Sequence, residues 1–159
     1  MRDHYKSPFF VITVNDDRRI VIRSRTERAF ASLEETEAEY RVMIPAFEQT
    51  INPRFGLLVD MRPAPPRNDP AFERLISRHY PRIYSGFREL AILVKTQAGK
   101  LQITRICDAT GIKASIFLDE SAAIAHLGIE QTTGARLRAG VVPPAASSEP
   151  TRRFNRRGA

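Results

Sequence analysis

The stretch of sequence that decides the fold lies near the middle of the chain. It reads Arg54-Phe55-Gly56-Leu57-Leu58-Val59-Asp60-Met61. An apolar centre without polar alternation is typical of a strand buried on both faces, as in a parallel sheet. The next residues form a proline-rich loop, Arg62-Pro63-Ala64-Pro65-Pro66-Arg67-Asn68, before Asp69-Pro70. Because Asp is a favoured N-cap and Pro a favoured first helical residue, the stretch predicts a strand, a loop and a helix in succession.

Further units of this kind follow along the chain. Leu90–Val94 is a second apolar strand, and Thr96 opens a helical stretch after it. Residues 114–118 predict a short strand, and Asp119 caps a final helix that ends at Gly128. Alternating strands and helices predict a mainly parallel sheet with crossover helices, which is an α/β fold.

The first 30 residues predict a different arrangement. Phe9–Val14 and Arg19–Arg25 are β-rich runs on either side of an Asn/Asp turn, which indicates an antiparallel hairpin. Ser32 and Glu35 then match a capping box at the start of the first helix. The predicted order of elements is therefore ββαβαβαβα, with the hairpin at one edge of the sheet. Charges that protect this edge from pairing are assigned to Arg18, Arg19, Arg23 and Arg25.

Two prolines fall inside predicted helices. Pro45 lies in the apolar pattern of the first helix and is expected to kink that helix or to mark its final turns. Pro81 lies in the second pattern and is expected to bend that helix. Gly86 follows the second pattern and is expected to close that helix. Pairing of the hairpin edge with a second copy of the chain, which would give a homodimer, stays open.

The chain divides at residue 128. Residues 1–128 are the predicted domain, and residues 129–159 are a predicted flexible linker and basic tail. Of the net charge of +7, residues 129–159 contribute +4, so the domain itself is only weakly basic. No apolar run is long enough to span a bilayer, and the start has too few apolar residues for a signal-peptide core. The expected location is the cytoplasm.

Three segments in this order resemble the STAS superfamily, and most closely its SpoIIAA-like (anti-sigma-factor-antagonist-like) branch. They are Leu57-Leu58-Val59-Asp60-Met61-Arg62, Arg67-Asn68-Asp69-Pro70-Ala71-Phe72-Glu73, and Ala91-Ile92-Leu93-Val94-Lys95-Thr96 running into Ala98–Gln102. The resemblance covers about residues 8–128. It implies a regulatory module without chemistry of its own, which binds other proteins or senses a ligand.

The resemblance also implies where a switch would lie. Phosphorylated members carry a serine where the loop after the third predicted strand enters the second helix. This chain has Asn68-Asp69-Pro70 there, with no hydroxyl side chain, so the serine of the phosphoswitch is absent from this position. The negative charge of Asp69 is open to two interpretations, a phosphate mimic or a helix cap, and the cap is favoured.

The loop after that strand is the candidate binding surface. Open α/β sheets commonly place binding sites at the carboxyl ends of their strands, and prolines reduce the entropy that docking removes. Arg62 and Arg67 offer bidentate donors to an acidic partner, with Asn68 and Asp69 beside them. The alternative is a rigid connection in which Asp60 forms an ion pair with Arg62 or Arg67.

Catalytic and metal signatures are absent from the sequence. His4, His79 and His126 lie in no motif with a nucleophile, and the lone Cys107 falls on the apolar face of a helix. There is no metal-ligand spacing and no complete phosphate loop. The chain is therefore predicted to be non-enzymatic, with no metal and no cofactor.

Two alternatives to protein docking remain. The first is a sensor for a small apolar or anionic ligand held between the sheet and the helices, with Pro45 and Pro81 opening the cavity. The second is weak binding of nucleic acid or an anionic surface by the tail. The tail residues concerned are Arg152, Arg153, Phe154, Arg156 and Arg157.

Overall fold

A computed structural model describes residues 1–128 as an α/β fold with a six-stranded mixed sheet and four helices. The strands are β1 (Arg2–Lys6), β2 (Phe10–Asn15), β3 (Ile20–Arg25), β4 (Gly56–Asp60), β5 (Glu89–Leu93) and β6 (Ser115–Phe117). The helices are α1 (Leu33–Glu48), α2 (Pro70–Tyr84), α3 (Gln97–Thr110) and α4, which begins at residue 120. The α/β class predicted from the sequence is confirmed.

The sheet follows the order of the chain. Its strands lie in the order β1-β2-β3-β4-β5-β6. The pairs β1–β2 and β2–β3 are antiparallel, and the pairs β3–β4, β4–β5 and β5–β6 are parallel. Right-handed crossovers that always step in one direction put their helices on one face of the sheet. Accordingly α1, α2 and α3 share one large core with the sheet, whereas α4 packs Ala123 and Leu127 against the opposite face.

The strand β1 was not predicted from the sequence. It pairs with β2 from Arg2 opposite Val14 to Lys6 opposite Val11, with a bulge between Asp3 and Tyr5. A bulge lets two successive side chains point to the same side. His4 Nε2 lies 2.9 Å from the carbonyl oxygen of Ala46, and the Tyr5 hydroxyl donates to Glu39 at 3.1 Å, so both reach α1. The hairpin of β2 and β3 is therefore inside the sheet and does not form its edge.

The interpretation of Arg23 and Arg25 as edge-protecting charges is wrong. Strand β3 lies between β2 and β4, and these two arginines are only 2% and 8% exposed. Their strand position explains this burial, because Val21, Arg23 and Arg25 alternate onto the face that the helices cover. Arg18 and Arg19 are exposed in the β2–β3 turn.

Local hydrogen bonds begin the helices where the sequence predicts. The side chains of Ser32, Asp69 and Thr96 accept from the backbone N–H groups of Glu35, Phe72 and Gly99 at 3.0–3.1 Å. Pro45 and Pro81 lie within α1 and α2, which both continue past them. Gly86 follows the end of α2 with φ 87°, a left-handed conformation that glycine adopts without strain.

The predicted linker and basic tail, residues 129–159, lie outside the described residues. Within residues 1–128, no helix is both long enough and apolar enough to cross a membrane.

Candidate functional site

The carboxyl ends of β4, β5 and β6 bring the predicted binding loop beside the first turns of α3 and α4. Asp60 closes β4, and both its carboxylate oxygens accept from the Arg62 guanidinium, at 3.0 and 2.7 Å. Arg62 also reaches Glu120 of α4 at 2.8 Å. Hydrogen bonds to Asp60 and then Glu120 raise the pKa of Arg62. The structure thus pairs Asp60 with Arg62, and the charge of Arg62 is shared between two carboxylates.

Arg67 and Asp69 form the second part of this surface. Nε of Arg67 donates to Asp69 at 2.6 Å, and its guanidinium lies 4.5 Å from the centre of the Phe72 ring. Asp69 also caps α2, and its pKa is lowered first by the Arg67 hydrogen bond and then by the backbone N–H of Phe72. The terminal nitrogens of Arg67 donate to no other residue in the described part of the chain.

A glutamine on α3 braces the same loop. Gln102 Nε2 donates to the carbonyl oxygen of Arg67 at 2.9 Å and to Glu73 at 2.8 Å. Asn68, between the two ionised residues, is exposed. The loop is therefore held at its backbone, while one amide side chain and part of one guanidinium face solvent.

Sequence reasoning missed an exposed apolar side chain on α3, the helix that braces this loop. Leu101, the neighbour of Gln102 in the first half of α3, is 72% exposed. Lys95 is exposed just before α3, and the first turn of that helix has no acidic residue. The signal was available, because Leu101 falls outside the buried stripe of Ile103, Ile106 and Cys107. We call Arg67, Asn68 and Asp69 of the loop, taken together with the exposed Lys95 and Leu101 around the start of α3, the loop surface.

Apart from the loop surface, an unusual group of charged and aromatic side chains lies in the core, under α1 and α2. The Arg23 guanidinium donates from Nη2 to the Tyr84 hydroxyl at 2.7 Å and lies over the rings of Phe10 and Tyr84, at 5.4 and 5.3 Å. Its Nε and Nη1 atoms are buried without a hydrogen-bond partner. Hence one of the strongest donors in the protein is only partly satisfied.

Arg25 lies two residues along the same strand. Its Nη2 donates to the carbonyl oxygen of Arg28 at 3.2 Å, and its guanidinium lies over the rings of Phe30 and Phe10. Its Nε atom has no partner. No carboxylate of residues 1–128 forms an ion pair with Arg23 or Arg25.

Tyrosines surround these two charges. The hydroxyl of Tyr80 is buried without a partner, and burial raises its pKa well above the usual value. Burial also raises the pKa of Tyr84 to about 12, so both phenols are neutral at physiological pH. We call Arg23, Arg25, Tyr80 and Tyr84 the core arginine cluster.

The pKa values of the two arginines shift in opposite directions. Burial lowers the pKa of Arg23, but the phenols of Tyr84, Tyr40 and Tyr80 raise it, and the net shift is upward. For Arg25 burial is the largest cause, and the pKa falls. The cluster therefore keeps a positive charge in an apolar core.

A groove lies between the first halves of α1 and α2, the helices that share the core with this cluster. Its volume is about 630 Å³, and Leu33, Ala38, Ala71 and Leu75 are among its lining residues. Three arginines, Arg41, Arg74 and Arg78, also line it, together with Glu34 and Glu37.

The histidines and the cysteine do not form a reactive group together. His79 Nε2 lies 3.1 Å from Glu37 and its ring stacks on Tyr40, whereas His126 pairs with Glu89. Cys107 is buried, and burial raises its pKa to about 11. Among residues 1–128 there is no group of three or more side chains able to hold a metal ion.

Comparison of the chain with protein-family models, with curated proteins and with solved structures found no match. The resemblance to the STAS superfamily therefore stays a prediction from the sequence.

Proposed function

We propose that this chain is a non-catalytic, STAS-like regulatory module of the cytoplasm that binds an acidic segment of a partner protein through the loop surface. The observation that supports the proposal is that Arg67 is held in place while part of its guanidinium remains available. Its backbone is held by Gln102 and its Nε by Asp69, while its terminal nitrogens remain available. A donor that is already positioned loses little entropy on binding, so it favours a specific contact.

The charge of the surface indicates the chemistry of the partner. Arg62 pairs with two carboxylates, those of Asp60 and Glu120, so the three residues together keep one negative charge. Within the loop surface the two positive charges of Arg67 and Lys95 face the one negative charge of Asp69, and the first turn of α3 has no acidic residue. Complementary charge increases the rate and selectivity of association, so an acidic segment is the expected partner.

Leu101 supplies an apolar contact next to these charges. Buried apolar anchors dominate the binding energy of most interfaces, and charges at their rim contribute mainly selectivity. A partner segment with carboxylates flanking an apolar side chain would match both features.

The proposed surface has no phosphoswitch. Asp69 provides a permanent negative charge whose oxygens already accept from Arg67 and the N–H of Phe72. Regulation of this module would then come from the availability of the partner or from a ligand.

Site-specific photo-crosslinking tests the proposal. A photoreactive benzoylphenylalanine is placed at Leu101 in the full-length chain, and at Val42 of α1 as a matched control, which is 62% exposed. Irradiation in cells should give a discrete crosslinked partner from position 101 only, and Arg67→Glu should abolish that product. Equal products from both positions, or a product that Arg67→Glu leaves unchanged, would refute docking at this surface.

A small-ligand function is the second candidate, and the core arginine cluster is the observation that favours it. Binding of anions by the tail concerns residues outside the described part of the chain. Deletion of residues 141–159 tests it, because loss of all retention on a polyanion column is expected.

A further inference from the structure

Polar groups without partners converge in the core arginine cluster. They are Nε and Nη1 of Arg23, Nε of Arg25 and the hydroxyl of Tyr80. The two guanidiniums lie over the same ring, that of Phe10, at 5.4 and 5.2 Å. Buried polar groups without hydrogen bonds are rare in folded proteins, and several in one place call for a missing partner.

The chemistry of these groups defines that partner. Three of the four are donors that cannot accept, and two of the side chains carry positive charge. A water molecule would satisfy donors but would leave the charges uncompensated in an apolar environment, which is strongly unfavourable. The nearby carboxylate of Glu39 already accepts from Tyr5 and Ser7 and forms no ion pair with either arginine. An external anion meets both requirements.

The surroundings restrict the kind of anion. Phe10, Phe30 and Tyr84 present aromatic faces around the guanidiniums, and few polar groups remain to solvate further oxygens. A carboxylate has two oxygens, which match the fork of a guanidinium, and its carbon body can contact aromatic rings. A phosphate group would bring more oxygens and more charge than the cluster can satisfy.

We propose that Arg23 and Arg25 bind the carboxylate of a small monocarboxylic acid with an apolar body, held between the sheet and helices α1 and α2. The Tyr80 hydroxyl donates to the same carboxylate, and Tyr84 keeps the Arg23 side chain oriented. This site is separate from the loop surface and does not depend on the function proposed for it.

The groove between α1 and α2 provides the access route. Its arginines, Arg41, Arg74 and Arg78, attract an anion to the outer side of the two helices that cover the cluster. Inside the helices, Pro45 and Pro81 lack the N–H group that would complete the helical hydrogen bonds, so the helices can bend apart locally. The rings of Tyr40 and His79 stack 4.9 Å apart and join the two helices.

Calorimetric titration of the full-length protein tests this site with defined probes. Butyrate, octanoate and phenylacetate are the anionic probes, and octanol is the uncharged control. The protein is first unfolded, dialysed and refolded to remove any ligand retained from expression. Saturable binding is expected for at least one carboxylate, with octanol at least about tenfold weaker, because a charged hydrogen-bonded pair is lost.

Substitutions test whether the carboxylate binds at Arg23 and Arg25. Arg23→Met should weaken binding of the best carboxylate by roughly tenfold or more, whereas Arg18→Met, at an exposed arginine of the β2–β3 turn, should leave it unchanged. Circular dichroism checks that each variant is folded, and Arg25→Met replaces Arg23→Met if the latter is not.

Three results would overturn the proposal. The first is the absence of saturable binding for all three carboxylates to the wild-type protein. The second is equal affinity for octanoate and octanol, and the third is unchanged affinity in a folded Arg23 or Arg25 variant. Native mass spectrometry of the freshly purified wild type adds a test without substitutions. A mass excess that denaturation releases as a monocarboxylic acid would support the site.

Discussion

Tyr84 of α2 accepts a hydrogen bond from Arg23 of β3, with 2.7 Å between the phenolic oxygen and Nη2, in a part of the core that solvent does not reach. The two residues are 61 positions apart in the chain. It satisfies Nη2 of the Arg23 guanidinium, whereas Nε and Nη1 are buried without a partner. The position of α2 over the sheet therefore determines whether the buried Arg23 guanidinium has this hydrogen-bond acceptor.

Removal of the Tyr84 hydroxyl should destabilise the protein. Tyr84→Phe leaves Arg23 Nη2 without its acceptor, and we expect a loss of about 1–3 kcal/mol in the free energy of unfolding. Tyr80→Phe is the matched control, because the Tyr80 hydroxyl has no partner, and it should be neutral or stabilising. Urea unfolding followed by circular dichroism measures both. A larger loss for Tyr80→Phe would contradict the hydrogen bonding described here.

Removal of the Arg23 charge should not destabilise the ligand-free protein. Arg23→Met keeps most of the apolar volume and removes an incompletely satisfied buried charge, so stability should be unchanged or rise by up to about 4 kcal/mol. In this background Tyr84→Phe should become nearly neutral, because the donor that needed the hydroxyl is gone. A double-mutant cycle measures the coupling, and additive effects would show that the two side chains do not interact.

Alanine substitutions at two glycines distinguish the cost of a left-handed backbone conformation from the cost of steric overlap. Gly86 has φ 87°, and a Cβ there would lie 2.5 Å from Cγ2 of Ile51, whereas Gly111 has φ 69° and open space around it. Gly111→Ala should destabilise by about 1–2 kcal/mol, the usual penalty of this conformation. Gly86→Ala should destabilise more, and Ile51→Ala in the same chain should remove the excess. Thermal unfolding measures all three, and equal effects at the two glycines would be inconsistent with the overlap.

The cap of α2 should contribute a pH-dependent part of stability. The folded-state pKa of Asp69 is lowered below its ordinary value of 3.8, so its contribution is present above that pH and is lost as the pH falls through the folded value. Asp69→Asn should therefore differ most from wild type at neutral pH and least in acid. In an Arg67→Met background the difference should depend less on pH, because the largest cause of the shift is removed. Urea unfolding at several pH values gives the comparison.

Cys107 should be inert in the folded protein. Burial, and to a smaller extent Asp108, raises its pKa to about 11, so at pH 8 roughly one thiol in a thousand is ionised. Reaction with a disulfide reagent should be very slow under native conditions and fast in urea. Rapid modification of the native protein at pH 8 would contradict the buried position.

The order of strands and helices from β2 onward could be predicted because it depends on local interactions. Apolar runs, the caps at Ser32, Asp69 and Thr96, and Gly86 act within a few residues, and the structure has each at the predicted place. Strand β1 could not be predicted in this way, because its polar sequence forms a strand only through pairing with β2.

The candidate sites likewise have some features that depend on neighbouring residues and others that depend on distant ones. The sequence alone determined the loop at the carboxyl end of β4, since a strand, prolines and a capped helix specify it locally. Only the tertiary structure decided that Arg62 also reaches Glu120 and that Arg23 and Arg25 lie in the core. A charged residue in an alternating strand is compatible with either face of a sheet. Its burial depends on which strands flank it and which helices cover it, and those neighbours come from distant parts of the chain.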